Sequence, residues 1–154
     1  MIRNCSVDSS GRYTQGIDIS YSGFQGMSSV EGCDVTGGGE GIVTHASMVM
    51  VAKNRVFGTS LRGITMSEMS MGDVSDNAVS NAVGVGVYCG DHSECMIDRN
   101  TVTGTRSDHS GDLSRIGIGI VSNYYAVAHL DDNVLVGNRA RTGAFAAGAF
   151  SRPK

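Results

Sequence analysis

The chain has 154 residues, a formal net charge of −3 and 40% hydrophobic residues, which is enough for the core of one domain. This acidic balance argues against the clustered Lys and Arg of a nucleic-acid-binding surface. No run approaches the ~18 consecutive apolar residues of a membrane span, so we expect neither nucleic acid nor a membrane as a partner.

A six-residue motif occurs six times along the chain, and its spacing decides the fold prediction. The motif is an apolar residue, two further residues, Asn or Cys, any residue, and an aliphatic residue. Its copies begin at Ile2, Val30, Val51, Val74, Ile97 and Leu130. The fourth positions hold Cys5, Cys33, Asn54, Asn77, Asn100 and Asn133. These positions are 28, 21, 23, 23 and 33 residues apart, and a period of about 22 is typical of stacked-repeat proteins.

Short β-favouring runs that begin with glycine lie between the motifs. In chain order they are 16–20, 41–44, 63–66, 84–88 and 117–121. None shows the 3.6-residue periodicity of a helix, so each period is predicted to hold two or three short strands. Stacked periods place each strand about 4.8 Å from its equivalent on the next turn. The prediction is an all-β solenoid, a parallel β-helix of about six rungs over residues 1–142, with 143–154 as a partial last rung or cap.

Aligned positions of the repeat share their chemistry. The first and last positions of the motif are aliphatic in all six copies, so both columns are predicted to face the core. Met27, Met48 and Met71 also align, each six residues before the fourth motif position. Gly or Asn stands four residues after that position in the second to sixth copies, as expected for a turn with left-handed backbone.

In this pattern the chain resembles the right-handed parallel β-helix proteins of the pectin-lyase-like superfamily. The resemblance implies that Asn54, Asn77, Asn100 and Asn133 form an internal ladder of amide side chains, which the cysteines of the first two copies interrupt. It identifies a fold rather than a function. The superfamily includes lyases, hydrolases, epimerases, phage tailspikes, adhesins and non-catalytic modules.

The two cysteines at the fourth motif position are predicted to stack. Cys5 and Cys33 would lie on adjacent rungs with their Cα atoms about 5 Å apart, within the ~4.4–6.8 Å that a disulfide requires. We expect either this disulfide, in an oxidising compartment, or a pair of inward-facing thiols. Cys89 and Cys95, six residues apart across a predicted turn, are the less favoured partners.

Two longer excursions, residues 8–15 and 103–115, follow the same turn of the repeat. They are predicted to project from one edge of the coil, three rungs or about 14 Å apart, with a cleft between them. Loops on a rigid scaffold often carry binding residues. Insertions are also tolerated at exposed turns without any function, so both interpretations stay open.

A line of ionisable residues is the candidate active site. Counting nine residues back from the fourth motif position gives His45, Glu68 and Asp91, with Tyr124 at one end of the line. Glu68 and Asp91 would lie one rung apart, close to the ~5–5.5 Å carboxyl separation of retaining glycosidases. Such a pair suits general acid and base roles, and it would equally serve as ligands of Ca²⁺. The alternative is a solvated polar row without function.

Residues 88–92, Tyr-Cys-Gly-Asp-His, are the densest cluster of catalytic residue types. They are loosely similar to the Y-x-x-D-x-H pattern of mannuronan C5-epimerases, with one residue fewer before the histidine. The resemblance implies that Tyr88 and His92 exchange a proton at opposite faces of a uronate carbon. A tight turn over residues 90–93 explains the same residues without catalysis.

The residues directly before the asparagines alternate in charge. They are Lys53, Asp76, Arg99 and Asp132. Neighbours of opposite sign on stacked rungs attract, so we predict exposed ion pairs worth a few tenths of a kcal/mol each. Lys53 and Arg99 are also the residue types that pectate-lyase-like enzymes use as a base or a carboxylate clamp.

Two functions remain open on the sequence. The first is a polysaccharide-active β-helix, a lyase, epimerase or hydrolase of a glycan, including uronate-containing glycans. Its catalytic residues would be His45, Glu68, Tyr88, Asp91 and His92, and Glu68 and Asp91 would hold any Ca²⁺. The second is a non-catalytic module, such as a glycan-binding domain, a tailspike-like shaft or a fragment of a larger protein.

The ends of the coil bear on partners and location. Open end rungs predict stacking on further rungs or on another copy of the chain. The first motif begins at Ile2 with no secretion signal before it, so we expect a fragment or a mature piece. The compartment stays open, with an extracellular location among the alternatives.

Overall fold

The structure is a computed structural model that describes residues 1–140, 144–146 and 152–153. The described residues form short β-strands and one 3₁₀ turn, Leu113–Arg115, and none of them lies in an α-helix. No helix in this part of the chain has the length and apolarity needed to span a membrane.

The strands assemble into three parallel sheets that run along the coil. Sheet A consists of β1 (Ile2–Arg3), β4 (Ser28–Glu31), β7 (Met48–Ala52), β10 (Met71–Ser75), β13 (Glu94–Asp98), β16 (Val127–Asp131) and β19 (Arg152–Pro153). Sheet B consists of β2 (Ser6–Ser9), β5 (Asp34–Gly37), β8 (Arg55–Phe57), β11 (Ala78–Ser80), β14 (Thr101–Thr103) and β17 (Val134–Val136). Sheet C consists of β3 (Gln15–Ser20), β6 (Glu40–His45), β9 (Arg62–Ser67), β12 (Val85–Cys89), β15 (Ile118–Ser122) and β18 (Ala144–Ala146).

The chain passes from sheet A to sheet B to sheet C in every circuit, and each circuit is one rung. The predicted right-handed parallel β-helix of about six rungs is therefore confirmed. Strands β18 and β19 extend sheets C and A beyond the last motif. The predicted boundary at residue 142 falls among residues outside those described, so the division into rungs and cap stays a prediction.

The core is a stack of aliphatic columns. The first motif position is fully buried at Val30, Val51, Val74 and Ile97 and partly buried at Leu130. The strands hold these side chains in parallel register, Val51 beside Val74 and Val74 beside Ile97. Each rung therefore buries its apolar side chains against the rungs on either side, which is the main source of stability in a solenoid.

Asparagines occupy the buried corner between sheets A and B. Nδ2 of Asn54 donates to Oδ1 of Asn77 at 3.0 Å, and Asn77 donates in the same way to Asn100 at 2.9 Å. Asn100 donates to Asn133 at 3.0 Å. In the second rung, the backbone N–H of Cys33 donates to Oδ1 of Asn54 at 2.9 Å. Hydrogen bonds between neighbouring rungs thus satisfy the side-chain amides that the corner buries.

Five glycines are stacked near the start of the strands of sheet C. They are Gly16, Gly41, Gly63, Gly86 and Gly119. A Cβ atom added to Gly86 would lie 2.2 Å from Cγ1 of Val102 and 2.6 Å from the carbonyl oxygen of Gly119 on the next rung. The rungs approach so closely here that no side chain fits.

The disulfide joins Cys89 and Cys95, whose Cα atoms are 6.3 Å apart, whereas Cys5 and Cys33 are free thiols. The prediction that favoured Cys5 and Cys33 as disulfide partners is wrong. Cys89 ends β12 and Cys95 lies in β13, and both belong to the buried core cluster. The corner at residues 90–93 turns the chain so that the inward-facing side chains of Cys89 and Cys95 meet. Their separation of six residues in the sequence does not predict this contact.

One ion pair of the predicted charge ladder is present with two parallel hydrogen bonds. Nε and a terminal nitrogen of Arg99 donate to the two carboxylate oxygens of Asp76 at 2.9 and 3.0 Å. These hydrogen bonds lower the pKa of Asp76 and raise that of Arg99. Because the pair is exposed, we assign it to surface stabilisation of neighbouring rungs.

Candidate functional sites

The outer face of sheet A carries a cluster of methionines. Parallel register places Met48 of β7 beside Met71 of β10, and Glu94 of β13 follows Met71 on the next rung. The residues that follow Met48 and Glu94, which are Val49 and Cys95, are buried in the core. Because side chains alternate along a strand, Met48, Met71 and Glu94 face outward.

A second outward row lies two residues further along the same strands. Register places Met50 beside Asp73, Asp73 beside Met96, and Met96 beside His129. The outer face of sheet A therefore combines thioethers with carboxylates and one imidazole. These acidic side chains give the surface a negative local charge near the methionines.

Four methionines line a shared depression of about 200 Å³ on this surface, and we call them the methionine face: Met27, Met48, Met71 and Met96. Glu94 and Gly72 complete the lining. The four side chains are between 38% and 54% exposed, so together they present an apolar patch to solvent. A thioether is polarizable and unbranched, so it is both an adaptable contact and a soft metal ligand.

The predicted catalytic residues lie at the corner between sheets C and A. Glu68 and Asp91 occupy equivalent positions on adjacent rungs, and both have left-handed backbone with φ of 55° and 53°. His45 pairs in register with Ser67 instead of Glu68, because the turn after His45 is one residue shorter than the turn after Ser67. The predicted alignment is therefore off by one residue at His45. Its Nδ1 still lies 3.5 Å from Oε1 of Glu68.

The contacts of His45 do not match those of a catalytic triad. Oγ of Ser67 lies 3.2 Å from Nδ1 of His45, the same ring nitrogen that faces Glu68. A triad needs the nucleophile and the carboxylate at opposite ring nitrogens. The other nitrogen, Nε2, lies 3.5 Å from Nε2 of Gln15. His45 thus connects side chains along the outer face of sheet C.

Tyr88 and His92 have different environments. Tyr88 is 2% exposed and lies under the guanidinium of Arg62, 3.9 Å from the ring centroid. Burial raises the pKa of Tyr88 to about 12, so its phenol stays protonated at neutral pH. His92 is exposed and stacks on Tyr125, with ring centroids 5.1 Å apart. Tyr88 therefore does not present its ring to an open surface. The proton exchange that the epimerase resemblance implies would require an open position for this ring.

The two long loops line one cleft of about 520 Å³. Its lining consists of Arg12, Tyr13, Thr14, Gln15, Gly39, Glu40, Ser60, Leu61, Asp108, Ser110 and Arg115. Glu40 is held by hydrogen bonds from Arg62 at 3.2 Å and Thr65 at 2.8 Å. The cleft lies where the strands of sheet C begin, whereas Glu68 and Asp91 follow their ends. The predicted catalytic carboxylates are therefore not part of its lining.

Comparison with known families identifies the chain. A family model described as NosD, periplasmic copper-binding protein, matches residues 2–146, nearly the whole sequence. The chain belongs to the NosD family. No curated protein and no solved structure matched it. The pectin-lyase-like superfamily is not among the relationships found, so that resemblance is supported for the β-helix architecture alone.

The description of the NosD family as copper-binding makes the metal-ligand side chains of this chain relevant. Within the described residues, no three or more His, Cys, Asp and Glu side chains are grouped to hold a metal ion. Glu68 and Asp91, predicted as Ca²⁺ ligands, therefore lack a further ligand of these types. The methionine face offers thioether donors, and soft ligands select Cu(I). These side chains fit monovalent copper.

Sequence reasoning missed most of this surface. It noted that Met27, Met48 and Met71 align but used the column only as evidence for stacking. Met96 and Glu94 lie two residues apart on one strand, and the same spacing separates Met48 from Met50. Two polar or thioether residues at alternate positions of a strand indicate an outward face. This pattern is present in the sequence and predicts the outward face of these strands.

Proposed function

We propose that this chain is a copper-binding β-helix that holds Cu(I) on the methionine face. The observation that carries the proposal is the pairing of Met48 with Met71 on adjacent rungs, beside Met27 and Met96 in one depression. The rungs are about 4.8 Å apart, so flexible thioether side chains on neighbouring strands reach a common ion. The copper-binding description of the NosD family supports the same ligand.

The chemistry of the donors favours the monovalent ion. A thioether is neutral at every pH, so binding requires no loss of a proton from these four side chains. Glu94 and Asp73 supply negative charge near the depression and attract a cation. The open position of the depression allows the ion to enter and leave from solvent.

We also propose a periplasmic or extracellular location. The Cys89–Cys95 disulfide supports it, because disulfides form and persist in oxidising compartments. The description of the NosD family as periplasmic supports the same location.

The proposal predicts that replacing both Met48 and Met71 by leucine weakens Cu(I) binding at this site by about tenfold or more. Leucine keeps the volume and apolar character but removes the sulfur donors. Competition with a chromogenic Cu(I) chelator under anaerobic conditions measures the affinity, and circular dichroism checks the fold. Met69→Leu is the matched control, since Met69 is 67% exposed and outside the lining of the depression. Both variants also carry Cys5→Ser, so that the free thiol pair does not compete for the ion, and equal affinities of the double variant and the control would then refute the assignment.

A second candidate function is glycan binding in the cleft between the loops. The observation that favours it is the exposed aromatic ring of Tyr13, which is 90% exposed and lines a cleft whose volume suits a small ligand. Arg12, Glu40 and Asp108 offer donors and acceptors for hydroxyl groups along the same cleft. Lyase, epimerase or hydrolase activity would further require that the glycan reach Glu68 and Asp91. These residues follow the ends of the strands of sheet C, whereas the cleft lies where the strands begin.

Glycan binding is tested by titrating uronate oligosaccharides, with and without Ca²⁺, while observing NMR shifts. We expect Tyr13→Ala to weaken binding about tenfold, since aromatic stacking on a ligand is lost. Tyr21→Ala serves as the control, because Tyr21 is 73% exposed but directly follows the end of β3 that is away from the cleft. Unsaturated or epimerised products that disappear in Glu68→Gln and Asp91→Asn would extend the proposal to catalysis. Identical titrations of the two tyrosine variants would exclude the cleft.

A further inference from the structure

Cys5 and Cys33 form a pair of free thiols on adjacent rungs. Register pairs Ser6 with Asp34 directly after them, and the N–H of Asp34 donates to the carbonyl of Cys5 at 2.8 Å. The backbone N–H of Cys5 lies 3.5 Å from Sγ of Cys33. Both cysteines are unoxidised in the structure, although another pair in the chain forms a disulfide.

The two thiols have equivalent local geometry. Each S–H donates to the backbone carbonyl two residues earlier, Cys5 to Arg3 at 3.3 Å and Cys33 to Glu31 at 3.5 Å. Both sulfurs therefore lie on the same side of the stacked turns, where the rungs are about 4.8 Å apart. Cys33 is fully buried, whereas Cys5 is exposed and gives access from solvent.

We propose that Cys5 and Cys33 form a two-thiolate site for Cu(I), separate from the methionine face. A linear ion between two thiolates needs sulfur atoms roughly 4 to 5 Å apart, about twice a metal–thiolate bond such as the ~2.3 Å bond of zinc. The backbones of stacked rungs are about 4.8 Å apart, which is close to this spacing. Cu(I) accepts two soft ligands in a line, so the absence of a third donor among the described residues is no obstacle.

The binding step is balanced by release of two protons. Both thiols lose their S–H proton, two sulfur–copper bonds form, and the site changes from neutral to a single negative charge with the ion bound. The charged side chains next to the cysteines in sequence form ion pairs: Arg3 pairs with Glu31 at 3.2 Å, and Asp34 pairs with Arg55. The release of protons distinguishes metal binding at this site from binding to methionines, because thioether ligands have no proton to lose.

The test uses the full chain carrying Met48→Leu and Met71→Leu, so that the methionine face binds Cu(I) more weakly than the thiol site does. We expect native mass spectrometry to show one Cu(I) per chain, a pH indicator to register about two protons per ion, and X-ray absorption to show two sulfur neighbours. Cys5→Ser should lower the affinity about 100-fold or more. Cys5→Met keeps a soft donor and should reduce proton release to about one per ion.

The outcomes separate this site from the proposed function. Both assignments are supported if the wild type binds two ions and each variant loses one of them. Cys5→Ser should then lose the ion whose binding releases protons, and the methionine double variant should lose the other ion. Loss of the proton-releasing ion in Cys5→Ser alone supports the thiol site even if the methionine face binds nothing. Undiminished, proton-releasing binding by Cys5→Ser would overturn it. So would a Cys5–Cys33 disulfide that survives reductant during Cu(I) loading.

Discussion

Replacing Asn77 by valine is expected to lower the free energy of unfolding by about 4 kcal/mol, even though valine is the more apolar residue. Asn77 donates to the carbonyl of Val51 at 2.8 Å and to Asn100 at 2.9 Å. Its oxygen accepts from the backbone and side-chain nitrogens of Asn54 at 2.9 and 3.0 Å. Valine breaks all four of these hydrogen bonds in the buried corner, and each buried group left unsatisfied costs about 1–3 kcal/mol. Urea unfolding followed by circular dichroism measures the change.

The matched control is the same substitution at Asn133. Its side chain accepts from Asn100 and donates to the carbonyl of Ile97, but it is only partly buried. Valine there breaks three hydrogen bonds instead of four and replaces a side chain that is already partly exposed, so we expect a smaller loss of about 1 to 2 kcal/mol. A loss at Asn77 no larger than the loss at Asn133 would show that burial does not govern these hydrogen bonds.

The second large effect is expected for Gly86→Ala, with a loss of about 3 kcal/mol or a failure to fold. The new Cβ would lie 2.6 Å from the carbonyl oxygen of Gly119. That oxygen belongs to the backbone of the next rung, so it cannot move without disturbing the sheet. The 2.2 Å approach to Cγ1 of Val102 adds a second clash within the core.

Gly58→Ala is the control for the glycine column. Gly58 has φ of 69°, and a Cβ there would meet no atom within 4 Å. Alanine therefore suffers only the cost of left-handed backbone, about 1–2 kcal/mol. The denaturant midpoints of the two variants measure these two costs separately: steric crowding in Gly86→Ala and backbone strain in Gly58→Ala. If Gly58→Ala is the more damaging change, the close approach of the rungs is not what requires glycine at position 86.

Periodicity predicted the fold because burial acts on every rung in the same way. Val51, Val74 and Ile97 must face inward, and one repeat length is enough to stack them. The register of His45 was not predictable to one residue, since the turn that follows it can lose a residue without disturbing the core columns. The Cys89–Cys95 disulfide was not predicted for a related reason. It depends on how the corner at residues 90–93 turns the chain, and the repeat length does not determine that.

The sites were less predictable than the fold. The loops at 8–15 and 103–115 were found because their extra length interrupts the period, and the structure places them around one cleft. The burial of Tyr88 depends on Arg62, which lies more than one repeat earlier and covers the ring from outside the core. The methionine face depends on which side of a strand is outward, and composition alone gives no reason to read methionine as a ligand.

The equal spacing of Asn54, Asn77 and Asn100, 23 residues in each step, has a consequence for how such a chain changes over time. Each of these amides bonds to the neighbouring turns of the coil and to nothing further away. A block of 23 residues can therefore be duplicated or deleted as a unit, and the flanking turns meet the same partners as before. Single duplication events would lengthen the protein and add thioether ligands along its surface while leaving the packing of the interior intact.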